Sequence, residues 1–175
     1  IFRPSIVVGD TSKGRLANFN GYYLGVKALA NFKDYLQKIG KEEEVIRFDV
    51  AEQSALNLIP IDMLIDRMLK LSADKIESGK FYNITNSYNT KCRHTVISIC
   101  QTVGLKVTFV DPEDFEKNPK TKFEKLIEYG FNYIMPYLRR NITFSTDNSD
   151  KLLDKPLHYE YDIEELDKLA IKYLN

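Results

Sequence analysis

The chain has no tryptophan, only two cysteines and two histidines, and no net charge, and each shortage removes a class of protein. Cys92 and Cys100 stand eight residues apart in what reads as one helix, a spacing that suits neither a metal knuckle nor a disulfide within that helix. Reduced, structural thiols in a cytoplasmic protein are the expectation. His94 and His158 have no Cys, Asp, Glu or His at a recognisable ligand spacing, so no metal site is expected. Lys plus Arg equal Asp plus Glu at 25 each, which leaves no whole-surface field to attract nucleic acid or an anionic membrane. No apolar run approaches the roughly eighteen residues of a membrane span. A Gly-x-Ser-x-Gly nucleophile elbow and a Gly-x-Gly-x-x-Gly phosphate turn are both missing.

What is present starts at the first residue. Ile1 to Asp10 reads as a strand buried on both faces, because Ile6, Val7 and Val8 form a β-branched run and Gly9-Asp10 is turn chemistry at its carboxyl end. Ligand crevices of open α/β sheets lie just beyond such ends. The strand opens the chain without an initiator Met, which suggests a piece of a longer polypeptide.

Thr11 to Asn20 is polar and reads as a loop; Tyr22, Val26, Leu29, Phe32, Leu36 and Ile39 then recur at helical spacing, ended by Gly40. Val45 to Val50 alternates as a half-exposed strand, and Ala55 to Ile59 is a short extended piece. From Pro60 a helix is predicted with Ile61, Leu64, Ile65, Met68 and Leu69 on one face and Asp62 as a cap. Phe81 to Thr85 reads as a strand, Thr90 to Val103 as a helix stopped by Gly104, and Lys106 to Val110 as a strand. This alternation predicts parallel pairing through helical crossovers. The last third is mostly helical, with capping-box signatures at Thr121/Glu124 and Asp162/Glu165, interruptions at Gly130 and Pro136, and a connector over Phe144 to Asn148. No linker divides the chain, so residues 1–175 are expected to form one unit.

These residues yield no catalytic set. Arg139-Arg140 has the chemistry of a phosphate site, although two arginines at a helix end more often complement its dipole. Tyr22-Tyr23 opens a helix just beyond a strand's loop, where the pair either lines a pocket or packs in the core.

Arg3-Pro4-Ser5-Ile6-Val7-Val8-Gly9-Asp10, with Tyr22-Tyr23 after it, resembles a motif of the extended short-chain dehydrogenase/reductases, in particular the male-sterility branch of fatty acyl-CoA reductases and thioester reductase domains. Leu56-Asn57-Leu58-Ile59-Pro60-Ile61-Asp62 resembles a second motif of that branch, in the right order, and Phe81 to Thr85 resembles the strand that rejoins its sheet. The resemblance covers most of residues 1–110. It implies the carboxyl-terminal part of a Rossmann-like parallel sheet with a mostly helical substrate-binding subdomain, since the family's Gly-rich loop and catalytic residues precede the Arg-Pro strand. It also implies that Pro4, Ser5, Ile6 and Val7 lie beside the nicotinamide of NADP or NAD, and that Gly9, Asp10, Tyr22 and Tyr23 meet an acyl thioester. Tyr22 stands where the family has Pro. The expected whole reduces the thioester, with this chain alone inactive and no cofactor bound tightly to it. The alternatives are a nucleotide-sugar epimerase or dehydratase fragment, disfavoured because Arg47-Phe48-Asp49-Val50 only begins that group's motif, and a non-enzymatic module that self-associates through an exposed sheet edge.

Overall fold

A computed structural model describes residues 1–12, 21–73, 76–153 and 155–175, so residues 13–20 of the loop predicted over Thr11 to Asn20 lie outside the described residues. In chain order the elements are β1 (Phe2–Pro4), β2 (Ile6–Val8), α1 (Tyr22–Lys38), β3 (Val45–Asp49), β4 (Ala55–Leu56), β5 (Leu58–Pro60), α2 (Ile61–Ala73), β6 (Tyr82–Ile84), β7 (Thr90–Lys91), α3 (Cys92–Val103) and β8 (Lys106–Val110). The helices α4 (Pro112–Lys117), α5 (Lys122–Gly130), α6 (Met135–Leu138), α7 (Asp147–Asp150) and α8 (Ile163–Leu174) follow. The fold is α/β and Rossmann-like, with a helical last third.

The opening segment is two strands rather than one. β1 pairs in parallel with β6, and β2 pairs in parallel with β5. Successive N–H groups of an extended chain point to opposite sides, so the Ser5 N–H reaches Ile84 O while the Ile6 N–H reaches Asn57 O. Pro4 has no N–H to give, and the hand-over from one partner to the other falls directly after it. Burial on both faces holds only toward the end of this segment: Arg3 and Pro4 are exposed, and Val8 is buried. Along β2 the side chains alternate, Ile6 and Val8 facing the main core and Val7 the smaller one.

The main core joins α1, α3, α5, α8 and β3; the smaller one joins Ile59, Leu64, Leu71, Tyr82, Ile84 and Leu157. β3 and β8 form a third parallel pair in register from Val45↔Lys106 to Asp49↔Val110. The predicted parallel pairing is therefore present, with one antiparallel exception among the described residues, β4 against β7. That exception shortens the predicted Thr90 helix, because Thr90 and Lys91 are strand and α3 starts at Cys92. Gly104 ends it at φ 73, a left-handed conformation suited to glycine. Cys92 and Cys100 are buried and free.

Both predicted capping boxes form. Thr121 Oγ1 accepts from Glu124 N at 3.2 Å while Glu124 Oε2 accepts from Thr121 N at 2.8 Å, and Asp162 with Glu165 repeats the exchange at 2.8 and 3.3 Å. Two expectations fail on packing. Leu64 and Leu71 are the buried residues of α2, whereas Ile65 and Leu69 are 50% and 66% exposed, because the smaller core meets only one edge of the predicted stripe. The connector after Phe144 contains α7, whose Ser149 hydroxyl donates to Asn83 O at 2.5 Å and ties it to β6.

Candidate substrate groove at the end of the second strand

At the carboxyl end of β2 the Gly9 N–H donates to Tyr23 Oη at 2.9 Å. Two residues on, Thr11 gives both its donors to Asp62, its N–H at 3.1 Å to Oδ1 and its hydroxyl at 2.5 Å to Oδ2. Asp62 thus ties the ends of β2 and β5 together, since it stands in the first turn of α2 directly beyond β5.

A groove of about 350 Å³ opens beside this clasp, with Asp10, Thr11 and Ser12 on one side. Its other wall is Tyr159, Tyr161 and α8. The Tyr159 hydroxyl donates to Glu165 Oε1 at 2.6 Å, so Glu165 both caps its helix and orients the groove wall. Tyr161 packs against it at 4.7 Å between ring centroids, and its buried hydroxyl has no hydrogen-bond partner among the described residues. Asn86 holds this wall in place: its amide donates to Leu58 O at 3.0 Å and Tyr159 O at 2.6 Å, and its oxygen accepts from Tyr159 N at 3.0 Å. A larger cleft of about 1020 Å³ lies between α2 and the segment through His158. The side chains that α2 sends to it include Asp66, Arg67 and Lys70, which read as a solvated face, so the strand-end groove is the better candidate.

The four residues expected at the nicotinamide straddle the hand-over at Ser5. Pro4 is exposed and Ser5, Ile6 and Val7 are half-buried, and the Ser5 hydroxyl is a buried oxygen without a partner among the described residues. Gly9 is buried at the clasp and Asp10 edges the groove. Tyr22 and Tyr23 lie in the core behind it. The Tyr22 hydroxyl donates to Leu166 O at 3.1 Å, and Tyr23 stacks on Tyr173 at 5.3 Å.

Burial raises the pKa of Tyr22 and Tyr161 strongly, and pushes that of Tyr23 up to about 12. Burial, followed by the hydrogen bond to Glu165, pushes Tyr159 up to about 12. None of the four is poised to exchange a proton near neutral pH. Tyr23 and Lys27 also have the Tyr-x-x-x-Lys spacing of a proton-donating pair. Tyr23 is fully buried while Lys27 is exposed, so the cation does not lower the phenol's pKa and the pair is no proton donor.

Two other arrangements were invisible in the sequence. Ser87 Oγ is 2.8 Å from His158 Nδ1, and Glu160 Oε1 is 3.3 Å from His158 Nε2. The nearby N–H groups are committed, Ser87 N to Leu157 O and Tyr88 N to Asn86 Oδ1, so they cannot form an oxyanion pocket and the trio is surface hydrogen bonding. Arg139 caps the carboxyl end of α6 and is held by Asp49 and by Glu128, so its guanidinium is spent on carboxylates rather than on a phosphate.

No protein-family model matches this chain, and no curated protein does. Solved structures do share its fold. The terminal R domain from the myxalamid PKS-NRPS pathway superposes with a TM-score of 0.61 at 12% identity, covering 99% of this chain and 43% of its own. A thiolation-reductase di-domain from an archaeal non-ribosomal peptide synthetase gives 0.57 at 17% identity, over 99% and 35%. The UDP-glucuronic acid 4-epimerase from Bacillus cereus, solved with UDP-glucuronic acid and NAD, gives 0.51 at 10% identity, over 99% and 44%. This chain spans less than half the length of each. The likeness establishes a fold common to reductase and epimerase structures.

Proposed function

We propose that this chain is the carboxyl-terminal, substrate-binding portion of an NAD(P)-dependent reductase acting on an acyl thioester. The observation that carries the reading is the opening segment, which changes sheet partner at Ser5 and ends in the Gly9–Thr11 clasp beside a groove, together with its Arg3-to-Asp10 resemblance to the thioester-reductase branch. In this reading Gly9 and Asp10 meet the substrate, and Tyr22 and Tyr23 support them from the core. The residues present fit only the nicotinamide end of the cofactor. Ser5 offers there a buried hydroxyl without a partner among the described residues, whereas no Gly-x-Gly-x-x-Gly exists for the pyrophosphate. When bound, the cofactor supplies the hydride. A nucleotide-binding segment would join along β1, which among the described residues pairs only with β6; self-association through that edge is the other use of it.

The test is the reading frame upstream of Ile1 and the activity of the joined product. The expected result is a Gly-rich strand-turn-helix and a Tyr-x-x-x-Lys pair upstream, with NADPH oxidation on adding an acyl-CoA. An upstream frame without them, or NADPH turnover by the 175-residue chain alone, overturns the proposal.

A further inference from the structure

From Phe123 to Met135 the buried apolar residues recur every four positions, as Phe123, Ile127, Phe131 and Met135. Lys125, Tyr129, Tyr133 and Tyr137 recur at the same spacing two residues out of phase, which on a helix is about 200° around the axis and so on the opposite side. The structure bears this out. Tyr129, Tyr133 and Tyr137 are 84%, 48% and 39% exposed, and Leu126 beside them is 44% exposed. Residues 131–134 form turns between α5 and α6, and the main-chain bonds Phe131 N to Ile127 O, Met135 N to Phe131 O and Arg139 N to Met135 O link the two helices across them. The result is an exposed row of three tyrosines, a tyrosine ridge.

Its charge has one sign although the chain as a whole is neutral. Both carboxylates of α5 are engaged by cations, Glu124 by Arg47 at 2.7 Å and Glu128 by Lys120 at 3.0 Å and Arg139 at 3.1 Å. Lys122, Lys125 and Arg140 are exposed, and none has a carboxylate at ion-pair distance among the described residues. Tyrosine has an apolar ring and a polar tip suited to the boundary between water and lipid, and flanking Lys and Arg suit anionic headgroups.

We propose that the Tyr129–Tyr133–Tyr137 ridge, with Lys122, Lys125 and Arg140, docks this protein on the surface of an anionic lipid bilayer. It does not span it, and no described helix is long and apolar enough to do so.

The test is flotation of the 175-residue chain with phosphatidylcholine vesicles, with and without about a third phosphatidylserine. The chain is expected to float with the anionic vesicles, and a rise from 0.1 to 0.5 M salt is expected to release it. A Tyr129→Ala/Tyr133→Ala/Tyr137→Ala variant, altered only at exposed positions, is expected to keep the wild-type circular dichroism and lose about tenfold in vesicle binding. Lys125→Glu with Arg140→Glu is expected to abolish the preference for phosphatidylserine. Absence of wild-type flotation, as for a ridge that meets an acidic protein instead, overturns the proposal. So does equal flotation by the triple variant.

Discussion

Glu124 offers the sharpest quantitative test of how the helical third is anchored to the sheet. Its side chain is 2% exposed, and the Arg47 guanidinium on β3 binds it through two nitrogens, at 2.7 and 2.8 Å. The hydrogen bond from Arg47 comes first among the causes that lower its pKa from 4.5 to about 2, against the opposing effect of burial. At neutral pH a displacement of that size corresponds to about 3 kcal/mol if nothing screens it. The Arg47 side chain is 26% exposed, so solvent reduces the contribution to about 1–2 kcal/mol. A folded pKa below the unfolded value gives stability that is present above about 4.5 and lost as pH falls toward 2. Glu124→Gln keeps an oxygen for the Thr121 cap while removing the charge, and leaves Arg47 without its ion pair. Urea unfolding at pH 7 should therefore show the variant about 1–2 kcal/mol less stable, with the gap closing between pH 4 and pH 2. A gap that stays constant over that range, or no gap at pH 7, would refute the assignment.

Other perturbations test the packing around the groove. Leu71→Ala should cost about 2–4 kcal/mol and Leu69→Ala under about 0.5 kcal/mol in thermal unfolding, because Leu71 is fully buried and Leu69 is 66% exposed; equal losses would mean that α2 buries a different edge. Asn86→Ala removes the amide that joins β5 to the Tyr159 segment and should cost about 2–3 kcal/mol, with hydrogen exchange at Tyr159 N rising with it; an unchanged exchange rate would sink its role as a clamp. Gly21 sits at φ 59 with a Cβ position 3.0 Å from Ile6 Cγ2, so Gly21→Ala should lower stability by about 1–3 kcal/mol, and a neutral result in a melting experiment would count against that conformation.

What sequence alone determined is local. Thr121/Glu124 and Asp162/Glu165 close their capping boxes because donor and acceptor lie three residues apart, within one helical turn. Gly104 stops α3 because a left-handed residue there costs glycine least. The period-two and period-four apolar patterns likewise located most strands and helices, and hence the α/β class. Tertiary structure decided the rest, through partners far apart in the chain. Ile1 to Asp10 is split at Ser5 because β6 and β5 take opposite edges of it, which no property of those ten residues states. Tyr159 and Tyr161 form a groove wall only because Asn86, 73 residues before Tyr159, holds their segment to β5. Asp49 alternates as an exposed strand residue would, yet it is buried because Arg139 reaches it from 90 residues away. Tyr23 and Lys27 show the reverse: adequate spacing in sequence, separated by packing that buries one and leaves the other in water.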